Sequence, residues 1–217
     1  MNVELIQASK LDGIIAGYRE CHASQDKSDK GGEKDVALIR RLLFDFHPSH
    51  ESPIEHAVYT WRVSGVSRAL THQLVRHRIA SYSQRSQRYV SEKQFDYVTP
   101  PSVVKNDFTF GRPVAGAEEH DEDCTAEEYY DYVMEFLATA YREMQERGIP
   151  KEDCRMVLPN ACTSSVIVTM NPRSFRNFLK LRLDKKAQWE IRMLAYEMYK
   201  AIPEDHKFMY EDIVNVQ

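Results

Sequence analysis

Between Ala57 and Arg76 the hydrophobic period changes once, at Gly65, from two to nearly four. Before the glycine, Tyr59, Trp61 and Val63 alternate with Thr60, Arg62 and Ser64, the pattern of a strand with one buried face. After it, Val66, Leu70 and Leu74 recur four residues apart, which predicts a helix with Ser67 as its cap. A strand that feeds a helix calls for a fold holding both a sheet and helices packed on it. The helix then runs into RHRIASYSQRSQRY, residues 76–89, with four Arg, three Ser and two Gln, which is poor material for a core.

That tail carries fixed positive charge in a chain whose formal net charge is -4. From Ala57 to Ser91 there is no Asp or Glu among the 33 acids of the sequence, while Arg62, Arg68, Arg76, Arg78, Arg85 and Arg88 all fall there. A counterweight of acids lies at 117–135. Local charge of this kind fits either an anionic ligand or a basic face balanced by an acidic helix.

The rest of the pattern predicts an α+β fold: a mixed or antiparallel central sheet with several long helices packed on it. Residues 35–46 have helical spacing at Val36, Ile39, Leu43 and Phe46, with Asp35 as the expected cap. Residues 95–104 read as extended chain stopped by Pro100-Pro101. A long helix is predicted over 125–148, where Thr125 and Glu128 form a capping box and Gly148 closes the end. A short helix is expected over 151–157, a strand over 162–170, a helix after the Asn171 cap and Pro172, and another helix over about 187–201. A length of 217 residues without repeats or a long linker fits one domain, 1–217. There is no long apolar run for a membrane span, no secretion signal and no CxxC pair among the four cysteines, so the expected place is the cytoplasm with reduced thiols.

Chemistry-bearing residues gather in two places. Gln73 and Arg76 share a helix face, Arg78 points elsewhere, and Ser81, Ser83, Gln84, Ser86 and Gln87 add neutral donors and acceptors. Arginine forks with serine hydroxyls suit phosphorylated ligands. In the helix after Asn171, Arg182 falls on the apolar stripe of Phe175, Phe178 and Leu179, so it must snorkel or find a partner, while Arg173 and Asn177 share another face. His47, His50 and His56 tempt a metal reading, but the spacing is not HExxH and prolines interrupt it, so no metal is expected. There is no GxGxxG or GxxxxGK[ST], and nothing near Ser86 in sequence marks it as an activated nucleophile.

The motif Arg76-His77-Arg78, seven residues and then Ser86, is the signature of the flavin-dependent thymidylate synthases. HESPIEH (50–56), RMVLPNA (155–161), NPRSFRNFLKLR (171–182) and AQWEIR (187–192) resemble that family too, in the same order over most of the chain. The resemblance implies conversion of dUMP to dTMP. The one-carbon unit would come from 5,10-methylenetetrahydrofolate and the hydride from FAD reduced by NADPH. It also implies a homotetramer with active sites at subunit interfaces.

Carried over by position, the resemblance implies Gln73, Leu74, Val75, Arg76, Gln84, Arg85, Ser86, Gln87, Arg88, Arg155 and Arg182 for dUMP. For FAD it implies Ser52, Glu55, Arg76, His77, Arg78, Ile79, Gln84, Asn171, Arg173 and Asn177. Arg182 and Ser86 are the implied catalytic residues: Arg182 to favour the ionised N3 of the uracil, Ser86 to orient dUMP. The chain departs from many members at Ser83-Gln84, where Asn-Glu is common, at Ser52, where Thr is common, and at Lys186, where several have His. Two other readings compete. One is an RNA-binding module that stacks bases on Tyr82 and Tyr89, which overall acidity disfavours, so neither nucleic acid nor membrane is an expected partner. The other is an inactive structural oligomer, which the retained arginines disfavour.

Overall fold

The computed structural model describes residues 1–111 and 123–215. In chain order the elements are β1 (Asn2–Ala8), α1 (Asp12–Cys21), α2 (Glu33–Arg40), β2 (Tyr59–Ser67), α3 (Arg68–Leu74), β3 (Ser81–Gln84), α4 (Pro101–Val104), β4 (Thr109–Gly111), β5 (Asp123–Thr125), α5 (Ala126–Glu146), α6 (Lys151–Cys154), β6 (Thr163–Met170), α7 (Pro172–Arg182), α8 (Trp189–Ala201) and α9 (Glu211–Val214). The chain divides into two compact units, one of residues 1–64, 72–84 and 165–217, the other of residues 65–71 and 85–164.

The first unit carries the larger sheet, with strand order β1-β2-β6-β3. β1 is antiparallel to β2, with a register shift between Leu5 and Gln7, and β3 is antiparallel to β6. The alternation read in 57–66 is real: Tyr59, Trp61 and Val63 are fully buried. Trp61 packs against Phe175 with ring centroids 4.9 Å apart, and Phe175 meets Phe178 and Tyr210, so α7 covers that face. Full burial of such side chains contributes about 1.5–3 kcal/mol each. Asn171 caps α7 as expected, its Oδ1 accepting from Ser174 N at 2.8 Å, with Pro172 at the first helical position.

Two local expectations are corrected. Asp35 does not cap a helix; α2 begins at Glu33 and Asp35 is fully buried, held by Arg19 at 2.6 Å, the Ser28 hydroxyl at 2.7 Å and the Gly31 amide at 2.9 Å. A buried carboxylate is stable only when its oxygens are met by donors, and these three meet them. The helix also does not run regularly to residue 46, since Arg41–Asp45 form a π-helical turn.

The second unit is built on α5. Its capping box is present: Thr125 Oγ1 accepts from Glu128 N, and Glu128 accepts from Thr125 N at 2.8 Å. Met134 joins Phe95 and Cys162 in a small core, with Tyr97, Tyr130 and Leu137 packed around it. Residues 95–98 are extended as expected, with Tyr97 bridged to Cys162, but Pro101 opens the short α4 rather than ending the segment. Its missing N–H costs nothing at a first helical position. Of the acidic run at 117–135, residues 117–122 lie outside the described residues.

Candidate active site

In the first unit α3 ends at Leu74 and β3 starts at Ser81, so residues 75–80 form a turn between them. Arg76 and Arg78 leave this turn as exposed side chains, and no carboxylate of the described residues lies within 4.0 Å of either. Leu74 is fully buried, and its carbonyl, like that of His77, is met by Tyr82 Oη, at 2.9 and 2.7 Å. His77 turns its ring inward: Nε2 is 2.8 Å from Ser174 Oγ, and the ring meets Phe178 edge-on at 5.4 Å. Burial lowers the basicity of His77, the Ser174 carbonyl partly restores it, and the Arg182 charge lowers it again, so the imidazole stays neutral near pH 7. Val75 and Ile79 are exposed and Gln73 is half-buried.

Arg182, the last residue of α7, is half-buried with no ion pair among the described residues. Its Nε is fully buried and has no hydrogen-bond partner there. A buried donor left unmatched costs about 1–3 kcal/mol. No ion pair among the described residues relieves it, although an arginine on an apolar stripe usually pairs or reaches solvent.

At the other end of α7, Arg173 donates from Nη1 to Glu55 Oε1 at 2.6 Å and lies 3.5 Å from Glu51. Glu51 also receives Arg176 at 3.4 Å, and Arg176 forms a two-pronged pair with Asp212 at 2.7 and 2.8 Å. Ser52 and Asn177 are exposed, while the Asn171 carbonyl oxygen is engaged as the cap.

The second unit holds Arg85, Ser86, Gln87, Arg88 and Arg155. Here the acid-free window of the sequence is filled in space. Arg85 pairs with Glu92 at 3.2 Å, and Arg88 with Glu152 at 3.2 Å. Arg155 donates to the Glu152 carbonyl at 3.0 Å. Glu92 is buried, which pushes its carboxyl pKa up against the pull of Arg85 and Arg68. The Ser86 hydroxyl accepts from Arg88 N at 3.2 Å and has no basic side chain against it among the described residues. Gln87 is buried, its amide against Cys162 Sγ at 3.8 Å. Burial raises the Cys162 thiol to about 11, so it is not a nucleophile at neutral pH.

Of the six arginines in the 57–91 window, Arg62 is paired too, with Glu4 at 3.2 Å. That leaves Arg68, Arg76 and Arg78 without a carboxylate within 4.0 Å among the described residues. Glu51, Glu92, Glu152, Tyr82 and Ser174 were not anticipated as parts of the site. Glu92 lies one residue past the window, and Ser174 three residues past the predicted cap, so both could have been found by looking just beyond the motifs. Five cavities of about 350–450 Å³ elsewhere on the chain are lined by none of the predicted site residues.

A family model described as Thymidylate synthase complementing protein matches residues 4–206. A flavin-dependent thymidylate synthase of Clostridium tetani is 44% identical over 177 residues, covering 78% of this chain and 67% of that protein. Another, of Nitratidesulfovibrio vulgaris strain Hildenborough, is 42% identical over 202 residues, covering 85% and 74%. A crystal structure of Thymidylate Synthase X from Helicobacter pylori with FAD and dUMP is similar in fold, with TM-score 0.77, 28% identity and 99% of both chains covered.

Proposed function

The chain belongs to the family of flavin-dependent thymidylate synthases, and on that premise we propose that Arg76, Arg78 and Arg182 are the cations that receive its anionic ligands. The enzyme converts dUMP to dTMP, with 5,10-methylenetetrahydrofolate giving the one-carbon unit and tetrahydrofolate released. Bound FAD, reduced by NADPH, supplies the hydride. The methylene and the hydride together make the new methyl group, and the C5 proton of the pyrimidine is lost.

The single observation that carries the residue assignment is the buried, unpartnered Nε of Arg182. A guanidinium whose buried Nε–H lacks an acceptor among the described residues lowers the cost of placing negative charge beside it. Beside the uracil ring it favours loss of the N3 proton, which makes C5 electron-rich enough to attack the one-carbon unit. Ser86 keeps its hydroxyl proton free to donate, which supports an orienting role and not that of a nucleophile. Arg76 and Arg78, with no carboxylate of the described residues within 4.0 Å, fit phosphate and pyrophosphate oxygens.

Gln73, Leu74, Val75, Gln84, Arg85, Gln87, Arg88 and Arg155 complete the proposed dUMP set. Ser52, Glu55, His77, Ile79, Asn171, Arg173 and Asn177, with Arg76, Arg78 and Gln84, form the proposed FAD set. The side chains of Leu74 and His77 face inward. We further propose that residues 1–217 act as one catalytic domain, that the enzyme is a homotetramer with shared active sites, and that it works in the cytoplasm. Among the described residues no helix is long and apolar enough to cross a membrane.

Anaerobic visible spectroscopy of the purified enzyme tests the reading. The flavin band should bleach with NADPH and return only when dUMP and methylenetetrahydrofolate are both present. Absence of the band after FAD is added would overturn it.

A further inference from the structure

The turn between α3 and β3 bears two exposed guanidiniums, two residues apart, with no carboxylate of the described residues near either. Like charges so close repel each other, and their own side chains do nothing to fix the backbone beneath them. The backbone is fixed from elsewhere. Tyr82 Oη meets Leu74 O at 2.9 Å and His77 O at 2.7 Å, and Ser174 Oγ donates to Ile79 O at 2.6 Å. The carbonyls of His77 and Ile79, which neither helix nor strand satisfies, are thereby each met by a hydroxyl, while Leu74 O accepts from His77 N at 3.0 Å and has only a share of the single Tyr82 proton.

The proton count fixes the histidine as well. Ser174 has one hydroxyl proton, and Ile79 O takes it. The 2.8 Å contact between Ser174 Oγ and His77 Nε2 must then be donated by the imidazole, so the neutral ring is the Nε2–H tautomer. Ser174 thus grips the turn at two points, from a position 95 residues on in sequence. It stands next to Arg173 and is bonded to the Asn171 cap, so it joins the turn to the other stretch assigned to FAD.

We propose that Tyr82 and Ser174 are positioning residues for this site: they hold the Leu74–Ile79 turn in its binding shape so that Arg76 and Arg78 diverge before a ligand arrives. Binding then escapes the cost of ordering a mobile, self-repelling turn. Burial pushes the Tyr82 phenol up to about 12, so its hydroxyl is available as a donor across the working pH range. The inference rests on the reading of Arg76 and Arg78 as ligand-binding residues.

Tyr82→Phe removes one oxygen and keeps the ring, and Ser174→Ala removes the other hydroxyl. In the FAD-loaded enzyme each should raise the KM for dUMP and the Kd for FAD about tenfold, with kcat at saturation within about twofold. The double variant should lose less than the product of the two, because both residues hold one turn. A general loss of packing would lower the melting temperature and active fraction without this split. Unchanged affinities, or kcat falling at constant KM, would overturn the proposal. Should Tyr82→Phe not fold, Ser174→Ala carries the same test. Arg76→Ala and Arg78→Ala are run alongside. If they weaken binding and the hydroxyl variants do not, only the positioning role fails; if they too leave both affinities unchanged, the site reading falls and the proposal with it.

Discussion

Arg173 reaches Glu55 at 2.6 Å, so two residues assigned to flavin binding hold each other across 118 positions of sequence. Both side chains are about half exposed, and an ion pair in that setting contributes less than about 1 kcal/mol. A double-mutant cycle with Arg173→Ala and Glu55→Gln, followed by denaturant unfolding, should give a coupling below that figure. Arg173→Ala should nonetheless weaken FAD retention in equilibrium dialysis. A coupling above about 2 kcal/mol would mean that the pair is structural.

Arg182→Ala should keep FAD and the oligomer but lower turnover by about 100-fold or more, the scale seen when a fixed donor to developing charge is removed. Stability should hold or rise slightly, because the variant deletes a buried N–H that has no partner among the described residues. Single-turnover kinetics and a thermal melt measure the two. Unchanged turnover would remove Arg182 from the chemistry.

Arg78→Ala should weaken FAD retention more than dUMP affinity. Titrations of each ligand in turn give the order, and the reverse order would exchange the two sides of the turn.

Burial pushes the Asp35 carboxyl up, but the Gly31 amide, the Ser28 hydroxyl and Arg19 outweigh it and bring the group down to about 2. Its folded pKa is below its unfolded one, so the stabilisation is full above the unfolded value and is lost as pH falls through about 4 to about 2. The amount is about 2 kcal/mol. Asp35→Asn should flatten the acid limb of the stability curve between those pH values. An unchanged limb would contradict the assignment.

Two histidines act higher on the scale. Burial lowers the basicity of His206, whose Nδ1 lies 2.9 Å from Tyr59 Oη, and also that of His77. Both have folded pKa values below the unfolded one, so they stabilise the fold above about pH 6.5 and lose that contribution as pH falls. Imidazole resonances of the two should titrate at lower pH than those of an exposed histidine. Titration of either at the usual value would contradict the burial reading.

The elements legible in the sequence were those whose own residues state their boundaries. Thr125 with Glu128, Asn171 with Pro172, and Ser67 each mark a helix start by a local bond, and all three bonds are present. β1 and β3 were missed because pairing makes them strands and composition does not. β1 exposes residues on both faces, and β3 is SYSQ, without an apolar alternation. Asp35 was misread because a carboxylate beside a helical run looks the same whether it caps the helix or meets Arg19 from α1. The arginine cluster was legible as chemistry, but its charge balance was not. Glu152 stands 64 residues from Arg88, and no window along the chain brings them together.

Arg88 is paired, and Arg76 and Arg78 have no carboxylate partner among the described residues, which implies two kinds of binding step. If Arg88 takes a phosphate as proposed, that anion displaces Glu152, so one anion is exchanged for another and few counterions are released. At Arg76 and Arg78 the ligand replaces mobile ions from solution, so affinity there falls with ionic strength. On the proposed assignment the contact at Arg88 depends less on salt than those at Arg76 and Arg78. On that assignment, raising potassium chloride should weaken FAD, placed on both Arg76 and Arg78, more than dUMP, placed on Arg76 and Arg88.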